Sequence, residues 1–341
     1  MKYLITGGCG FLGSNLAYRL IKENNDVTII DNLSRIGSRN NLLWLKGSGG
    51  FNFFEADVSN VEFVNKTIKE LNPDVIVHLA GQVAMTTSLE NPRRDFEINV
   101  LGTINILESA RKFSPDSIII YSSTNKVYGD LEELEYVEKE KRYEIRNNSI
   151  GLNEDTRLDF RSPYGCSKGA ADQYMLDYAR QFSLNTIVFR HSSIFGDRQY
   201  STFDQGWIGW FVSQAILLKE RKLPSPITIS GNGKQVRDVL FATDLIECYS
   251  QAIKNSTNCI GKAYNIGGGY DNSISLLELF DFLNDIFQIE IIYNELPWRS
   301  SDQKVFIADI TRAKSDFNFS PSINKFDGIK KMIDWVRFEK S

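Results

Sequence analysis

The first thirteen residues of the chain place an apolar segment, a group of glycines and an amphipathic segment in immediate succession. Residues 2–6 predict a short buried strand, and a helix is expected to begin near Ser14. Residues 7–13 between them carry four glycines, of which Gly7, Gly10 and Gly13 are spaced three apart. A strand that turns through glycines into a helix gathers backbone N–H groups at the positive end of the helix, an arrangement that suits a pyrophosphate. We therefore expect an α/β fold that opens with a dinucleotide-binding turn.

The three glycines have different predicted roles. Gly7 permits the tight turn, Gly10 lets the backbone approach a pyrophosphate, and Gly13 allows the helix to pack closely on the strand. Phe11 and Leu12 lie in the same turn and are also predicted to contact the cofactor. The spacing is G-x-x-G-x-x-G and not G-x-G-x-x-G, which indicates a particular branch of the Rossmann class.

An acidic residue follows the second predicted strand. Residues 27–30 are β-branched or apolar and end at Asp31, close to the ~20-residue separation from the glycines that is expected for a ribose-binding carboxylate. A carboxylate there accepts hydrogen bonds from the ribose hydroxyls and repels a 2′-phosphate, so NAD is favoured over NADP. Arg35 nearby works against that preference, and Asn32 and Ser34 are predicted to contact the cofactor from the same loop.

Strand and helix signals alternate through the first 190 residues or so. Further strands are predicted at 51–57, 75–80, 118–123 and 186–189, and helices notably at 99–112 and 165–182. This alternation predicts a doubly wound parallel sheet of the Rossmann type, whose ligands lie beyond the carboxyl ends of the strands. Asn99 opens its predicted helix and is expected either to cap it or to face the cofactor. The other predicted cofactor contacts are Asp57, Val58, Leu79, Ala80, Gly81, Gln82, Ser122 and His191.

The second half of the chain is more irregular. We predict a cofactor-binding domain over 1–189 and a smaller C-terminal substrate-binding lobe formed mainly by 190–341, with residues 234–258 returning to the first domain. The mixed-charge stretch 132–146 is expected to be a solvated excursion or flap.

A tyrosine and a lysine four residues apart, Tyr164 and Lys168, are predicted to share one helix face. An ammonium beside a phenol favours the phenolate and would lower the tyrosine pKa towards neutral pH, so that the phenol could exchange a proton with a sugar hydroxyl. Thr124, which follows an apolar strand, could hydrogen-bond the same oxygen. The spacing alone also arises by chance in many helices.

Composition narrows the possible partners. The net charge of −4 gives no basic surface for nucleic acid, and no apolar run is long enough to cross a membrane. Met1 and Lys2 lead directly into a strand, so we expect no signal peptide and a cytoplasmic protein. The four cysteines show neither paired nor metal-like spacing, and His78 and His191 both follow apolar strand residues, so no metal site is expected.

Several of these segments together resemble the extended short-chain dehydrogenase/reductase family, which includes nucleotide-sugar epimerases and dehydratases. The resemblance rests on residues 6–13, 122–124 and 127–129 and on the pair Tyr164 and Lys168. Longer stretches, and the long insertion before Tyr164, resemble the branch of the family that inverts C2 of a CDP-dideoxysugar. These stretches are 80–88, 123–129, 162–173 and 204–207.

The resemblance implies a tightly held NAD that is reduced and reoxidised within one turnover. Thr124, Tyr164 and Lys168 would be the catalytic residues, and Tyr164 and Lys168 would also contact the cofactor. The substrate, a CDP-sugar, would be bound by Thr124, Asn125, Ser193, Arg237, Arg299 and Asp302. Arginine suits a diphosphate because its planar fork matches phosphate oxygens, although lone arginines more often form surface ion pairs. The family also implies a homodimer or homotetramer.

Two features separate this chain from relatives. Many 4-epimerases carry an asparagine where Ser193 stands, which weakens the predicted phosphate contact there. The 4,6-dehydratases place an Asp-Glu pair directly after the catalytic threonine, whereas this chain has Asn125 and Lys126, which cannot serve as that acid/base pair. A 4-epimerase, a 2-epimerase of another nucleotide sugar, and a non-catalytic dinucleotide sensor remain as alternatives.

Overall fold

The computed structural model describes residues 1–223, 225–299 and 301–340. Pro224, Ser300 and Ser341, which belong to the predicted second lobe, lie outside the described residues. The strands are, in chain order, β1 (Lys2–Thr6), β2 (Asp26–Asp31), β3 (Asn52–Glu55), β4 (Val75–His78), β5 (Ile118–Thr124), β6 (Tyr136–Glu138), β7 (Tyr143–Ile145), β8 (Asn185–His191), β9 (Ser193–Phe195), β10 (Ile227–Ser230), β11 (Val236–Phe241), β12 (Lys262–Ile266), β13 (Ser273–Ser275), β14 (Tyr293–Leu296) and β15 (Val305–Phe306).

The helices surround these strands. They are α1 (Phe11–Lys22), α2 (Ser38–Lys46), α3 (Val61–Leu71), α4 (Met85–Glu90), α5 (Pro92–Phe96), α6 (Gly102–Phe113), α7 (Ser162–Phe182), α8 (Trp207–Lys219), α9 (Ala242–Lys254), α10 (Ser256–Cys259), α11 (Leu276–Phe287), α12 (Thr311–Phe317) and α13 (Lys325–Lys340). A π-helical turn spans Glu97–Leu101, and 3₁₀ turns span Asn125–Tyr128 and Tyr270–Asn272.

Seven parallel strands form the main sheet in the order β3-β2-β1-β4-β5-β8-β12. Its central strand β4 is buried at every position, as a parallel strand covered on both faces should be. Helices α1, α2, α9 and α12 contribute to the core on one face, and α3, α6 and α7 to the core on the other. The predicted doubly wound Rossmann-type fold is confirmed.

A smaller lobe packs around a second core. Strand β11 pairs with β9, β13 and β15, and β10 pairs with β14 to make a two-stranded sheet. Helices α8, α11 and α13 bury their apolar residues against these strands. Helix α9 leaves this lobe and packs on the main sheet, within the segment predicted to return there, and β12 supplies a seventh strand that was not predicted.

Two local expectations are wrong. Helix α1 begins at Phe11 and not near Ser14. Asn99 does not open a helix, because it lies inside the π-helical turn that joins α5 to α6. The stretch 132–146, expected to be a solvated excursion or flap, contains the hairpin of β6 and β7. Its residues are exposed or half-buried except for Tyr143, which is buried with Val305 and other residues of the second lobe.

Candidate active site

Two cavities meet beside the amino-terminal end of α7. The first has a volume of about 370 Å³ and lies at the carboxyl ends of β1, β2, β4, β5 and β8. The second has about 410 Å³ and lies between the main sheet and the smaller lobe. Val83, Tyr164 and Trp207 line both. Tyr164 is therefore placed where a molecule in one cavity could react with a molecule in the other.

The glycine turn forms the floor of the first cavity. Gly7 adopts a φ of +70°, a conformation that favours glycine. A Cβ atom on Gly13 would lie 2.2 Å from the carbonyl oxygen of Gly7, so no larger residue fits without moving the turn. The close approach of α1 to β1 thus depends on these two positions, as a phosphate-binding turn requires.

Asp31 lies at the end of β2 and faces the same cavity. Its carboxylate accepts hydrogen bonds from the backbone N–H groups of Cys9 at 2.9 Å and Leu33 at 2.8 Å. Burial raises the pKa of Asp31, and these backbone hydrogen bonds oppose the rise. The carboxylate therefore anchors the glycine turn as well as presenting oxygens to the cavity.

Asp57 is a second carboxylate on the cavity wall. Burial alone would raise its pKa, but hydrogen bonds from Ser59, Arg94 and Asn32 outweigh burial and lower the pKa to about 2. The Arg94 guanidinium lies 2.7 Å from its Oδ2. Asp57 is therefore fully ionised at neutral pH.

Most predicted cofactor residues line the first cavity. They are Gly7, Gly10, Phe11, Leu12, Gly13, Asp31, Asn32, Ser34, Arg35, Asp57, Val58, Leu79, Ala80, Gly81, Ser122, Tyr164, Lys168 and His191. Gln82 and Asn99 lie behind the wall, where the Gln82 N–H donates to Asn99 Oδ1 at 2.9 Å and Asn99 Nδ2 donates to the Gln82 carbonyl at 3.0 Å. The structure thus places them as supports of the loop after β4.

A loop from the smaller lobe closes over the first cavity. The guanidinium of Arg35 donates to the side chain of Gln205, whose Nε2 donates to the Val83 carbonyl at 2.9 Å. Thr86 donates to Asp204 Oδ2 at 2.7 Å. Residues 204–207 therefore tie the two lobes together above the site, a role that their positions in the sequence do not reveal.

The three predicted catalytic residues converge on this junction. Thr124 ends β5, Tyr164 lies in the first turn of α7, and Lys168 follows one turn later. Burial raises the pKa of Tyr164 to about 12, although the hydrogen bond with Thr124 acts to lower it. The expectation that Tyr164 has a lowered pKa is therefore wrong for the protein alone, because the sequence could not show how deeply the phenol is buried.

Lys168 lies beneath the first cavity with few polar neighbours. Its Nζ donates to the Ser122 carbonyl and lies 4.2 Å from the centre of the Tyr121 ring. Burial lowers the pKa of Lys168 to about 7, although the charges of Asp172 and Asp95 oppose this. The charge of this lysine at neutral pH therefore depends on nearby carboxylates.

The second cavity carries a group of cations. Arg237 forms an ion pair with Asp302 at 2.7 Å. The Arg299 guanidinium lies 4.5 Å from the centre of the Phe203 ring and donates to the Phe203 carbonyl at 3.1 Å. These three predicted substrate residues all line the cavity.

Lys126 is a third cation on this wall, and the sequence analysis did not assign it a site role. Its Nζ donates to the Ser301 carbonyl at 2.9 Å. Burial and the charge of Arg237 lower its pKa to about 8, partly offset by Asp302. Its position two residues after Thr124 was the available signal, since the 3₁₀ turn that follows β5 brings it under the same cavity.

The remaining predicted substrate residues lie elsewhere. Thr124 and Ser193 line the first cavity, and Ser193 Oγ accepts a hydrogen bond from Trp207 Nε1 at 3.4 Å. Asn125 is buried outside both cavities and donates to Gln303 Oε1 at 3.2 Å. Direct contact of Asn125 with a ligand therefore has no support from its position.

The two histidines are buried and uncharged. Burial, reinforced by the charge of Lys168, lowers the pKa of both His78 and His191 to about 3. Within 1–223, 225–299 and 301–340, no group of three or more His, Cys, Asp or Glu side chains could hold a metal ion. None of the helices in these ranges is long and apolar enough to span a membrane.

Comparison with known proteins agrees with this geometry. A family model described as GDP-mannose 4,6 dehydratase matches residues 4–332. The chain is 55% identical to the CDP-paratose 2-epimerase of Salmonella typhi over 98% of this chain and 99% of that protein. It is 33% identical to a putative UDP-glucose 4-epimerase of Methanocaldococcus jannaschii, over 98% of each chain.

A solved structure matches the fold from end to end. The UDP-glucuronic acid 4-epimerase of Bacillus cereus, in complex with UDP-glucuronic acid and NAD, superposes with a TM-score of 0.85. The match covers 99% of this chain and 100% of that one at 26% identity. The chain belongs to the extended short-chain dehydrogenase/reductase family, among its nucleotide-sugar epimerases and dehydratases.

Proposed function

We propose that this protein is an NAD-dependent epimerase that inverts C2 of CDP-paratose to give CDP-tyvelose. The observation that carries the proposal is the identity with the Salmonella typhi CDP-paratose 2-epimerase along nearly the whole of both chains. The arrangement of two cavities that share Tyr164 supports it, because a cofactor and a sugar nucleotide must meet at one proton-transferring group.

The first cavity fits NAD. Gly13 leaves no room for a side chain beside Gly7, which suits a turn that holds a pyrophosphate. Asp31 would accept hydrogen bonds from the adenosine ribose, and Lys168 would donate to the nicotinamide ribose. When bound, NAD⁺ supplies the reversible oxidation of the sugar carbon and a positively charged ring.

The residues where the two cavities meet would transfer the proton of the C2 hydroxyl and hold the reacting oxygen in place. The Tyr164 phenolic oxygen would take the proton from the C2 hydroxyl, leaving a 2-ketosugar, and would return it after the sugar has presented its opposite face. The Thr124 hydroxyl, which hydrogen-bonds Tyr164, would hold the reacting oxygen in line. Because burial favours the neutral phenol, the charged form of Lys168 is needed to bring the pKa of Tyr164 down.

The second cavity would hold the CDP group. Three cations, Arg237, Arg299 and Lys126, line this cavity with two carboxylates, Asp302 and Asp204, so the wall carries an excess of positive charge. A diphosphate matches this charge and the fork geometry of arginine. A neutral free sugar would add no counter-charge for these cations, so they favour a substrate that carries negative charge.

Two further assignments accompany the proposal. The enzyme would act in the cytoplasm as a homodimer or homotetramer, formed through the helices around 92–113 and α7. Exposed apolar side chains on these helices, which include Phe96, Leu101, Tyr174 and Phe182, support such an interface.

The reaction is tested with CDP-paratose that carries deuterium at C2. The purified enzyme should convert it to CDP-tyvelose with the deuterium still on C2, because the hydride that leaves the carbon returns to it. Nuclear magnetic resonance of the product reads both the configuration and the label. Loss of deuterium to water would contradict internal redox chemistry, inversion at C4 would indicate a 4-epimerase, and bound NAD without turnover would indicate a sensor.

Asp31 is tested through cofactor preference. Asp31→Asn keeps an oxygen for only one of the N–H groups of Cys9 and Leu33, which now donate to different carboxylate oxygens. It also removes the charge that pairs with ribose hydroxyls and repels a 2′-phosphate, and only this second change should alter the preference between NAD and NADP. We expect NAD affinity to fall by about tenfold, the value of one charged hydrogen bond, and NADP affinity to fall less or to rise. Calorimetric titration with both cofactors measures the ratio, and equal losses would show that Asp31 is not at the ribose.

A further inference from the structure

A carboxylate that the proposed reaction does not use is buried behind the catalytic pair. Asp95, on α5, is 1% exposed. Its Oδ1 accepts hydrogen bonds from Gln82 Nε2 at 3.1 Å and Asn99 Nδ2 at 3.4 Å, and its Oδ2 accepts from the Ser167 hydroxyl. Ser167 is the immediate neighbour of Lys168 in α7.

These hydrogen bonds do not require a negative charge. An asparagine at position 95 could present its carbonyl oxygen to Gln82 and Asn99 and its amide to Ser167. The Ser167 hydroxyl already has a second acceptor, the Tyr164 carbonyl at 3.2 Å, so it could turn its proton there and accept from the amide. A buried carboxylate is costly where a neutral amide would satisfy the same partners. The charge of Asp95 therefore needs another explanation.

Asp95 differs from the other charged and titratable groups around Lys168. Asp172 also faces Lys168 but is held by Arg190 in a two-pronged ion pair, at 2.9 and 3.0 Å. The remaining titratable neighbours are the uncharged side chains of His78, His191, Tyr121 and Tyr164. Across the described ranges, no Lys, Arg or His lies within salt-bridge distance of Asp95, and its electrostatic partner is Lys168. Burial raises the pKa of Asp95, and its hydrogen bonds and the charge of Lys168 oppose the rise. When ionised, Asp95 is thus a negative charge that acts on Lys168 and that no ion pair within the described ranges compensates.

Contacts through the loop after β4 link the two groups. A Cβ atom on Gly81 would lie 3.1 Å from Asn99 Oδ1 and 3.7 Å from Lys168 Nζ. The Asn99 side chain, which donates to both Asp95 and Ser167, therefore borders the same glycine as the lysine ammonium. The network places Asp95 close to Lys168 while keeping it from forming a direct ion pair that would draw the ammonium away from the cavity.

We propose that Asp95 is a positioning residue that keeps Lys168 charged and directed at the cofactor cavity. The inference rests on the proposed NAD site, in which Lys168 donates to the nicotinamide ribose. If the Asp95 charge is removed, Lys168 should lose its proton at a lower pH. Because the neutral lysine holds the cofactor less well, NAD should then be released at that lower pH.

The first experiment measures cofactor retention by the holoenzyme as a function of pH. The protein is passed through a desalting column at a series of pH values from mildly acidic to alkaline, and the NAD that stays bound is determined. In Asp95→Asn the pH of half-release should lie about one unit below that of the parent protein, the usual effect of a nearby opposite charge. Ser167→Ala is the matched control, because it breaks the hydrogen bond to Asp95 but keeps the carboxylate, and its half-release pH should equal that of the parent.

The outcomes distinguish an effect of the Asp95 charge from an effect of its hydrogen bonds. No shift in Asp95→Asn, or an equal shift in Ser167→Ala, would overturn the proposal while leaving the assigned NAD site intact. A parent protein that retains no NAD at any pH would instead count against the proposed function.

A second experiment needs neither cofactor nor substrate. Removing one member of a buried charge pair leaves the other uncompensated, so Asp95→Asn should lower the melting temperature of the parent but raise that of Lys168→Met. This reversal of sign is expected only if the two charges interact. A melting temperature that falls in both backgrounds would assign Asp95 a merely structural role and overturn the proposal.

Discussion

Tyr164→Phe is expected to fold and to retain bound NAD while losing about a hundredfold to ten-thousandfold of its turnover of CDP-paratose. The substitution removes a single oxygen and leaves the ring, which is 9% exposed and packs at the junction of the two cavities. The lost oxygen is the group that would take and return the proton of the C2 hydroxyl. Turnover, cofactor content and melting temperature of the purified variant check the three parts of this expectation.

Thr124→Val provides the matched comparison. It removes the hydroxyl that hydrogen-bonds Tyr164 but keeps the proton-transferring phenol, so the loss of turnover should be smaller than in Tyr164→Phe. If Tyr164→Phe kept near-normal turnover and Thr124→Val abolished it, the two roles would be assigned wrongly. The base would then have to be sought among the other titratable residues that line either cavity.

The architecture was predictable where it depends on local patterns. Strand β4 is apolar except for its last residue, His78, because both faces of the strand are covered. The glycine turn is recognisable because Gly7 and Gly13 leave no room for a side chain. Strand β12 was missed because its place in the sheet depends on pairing with β8, from Lys262 opposite Ile187 to Ile266 opposite His191. Nothing within 262–266 encodes that partner.

In the candidate site, too, local patterns were predictable from the sequence and long-range contacts were not. Sequence motifs identified many of the residues that face the cavities, although not Lys126. They did not identify residues behind the cavity wall such as Asp95 and Ser167, because these meet only when α5 and α7 pack together. The charge state of Tyr164 was also misjudged, since the spacing to Lys168 gives proximity but not burial, and burial dominates the pKa of the phenol. Long-range packing therefore decides the electrostatics of this site.

The ion pair between Arg237 and Asp302 leads to a pair of substitutions with opposite expected effects on CDP binding. Both side chains are largely buried in the wall of the second cavity, 13% and 22% exposed. Arg237→Gln removes a cation and leaves Asp302 unpaired beside the diphosphate, so we expect affinity for CDP to fall by at least about thirtyfold, the lower end of the cost of breaking a buried charge pair. Asp302→Asn keeps an acceptor for Arg237 but removes the competing anion, so affinity for CDP should rise.

Calorimetric titration at neutral pH with CDP and with cytidine separates this charge effect from damage to the cavity. Cytidine lacks the diphosphate, so its binding should change little in either variant, whereas a collapsed cavity would lose both ligands. Raising the salt concentration should shrink the difference between the variants for CDP, because screening weakens interactions between partly exposed charges. If Asp302→Asn weakened CDP binding as strongly as Arg237→Gln does, the carboxylate would itself contact the substrate. The diphosphate would then have to lie nearer to Arg299 and Lys126, the two cations of this wall whose hydrogen-bond partners are uncharged.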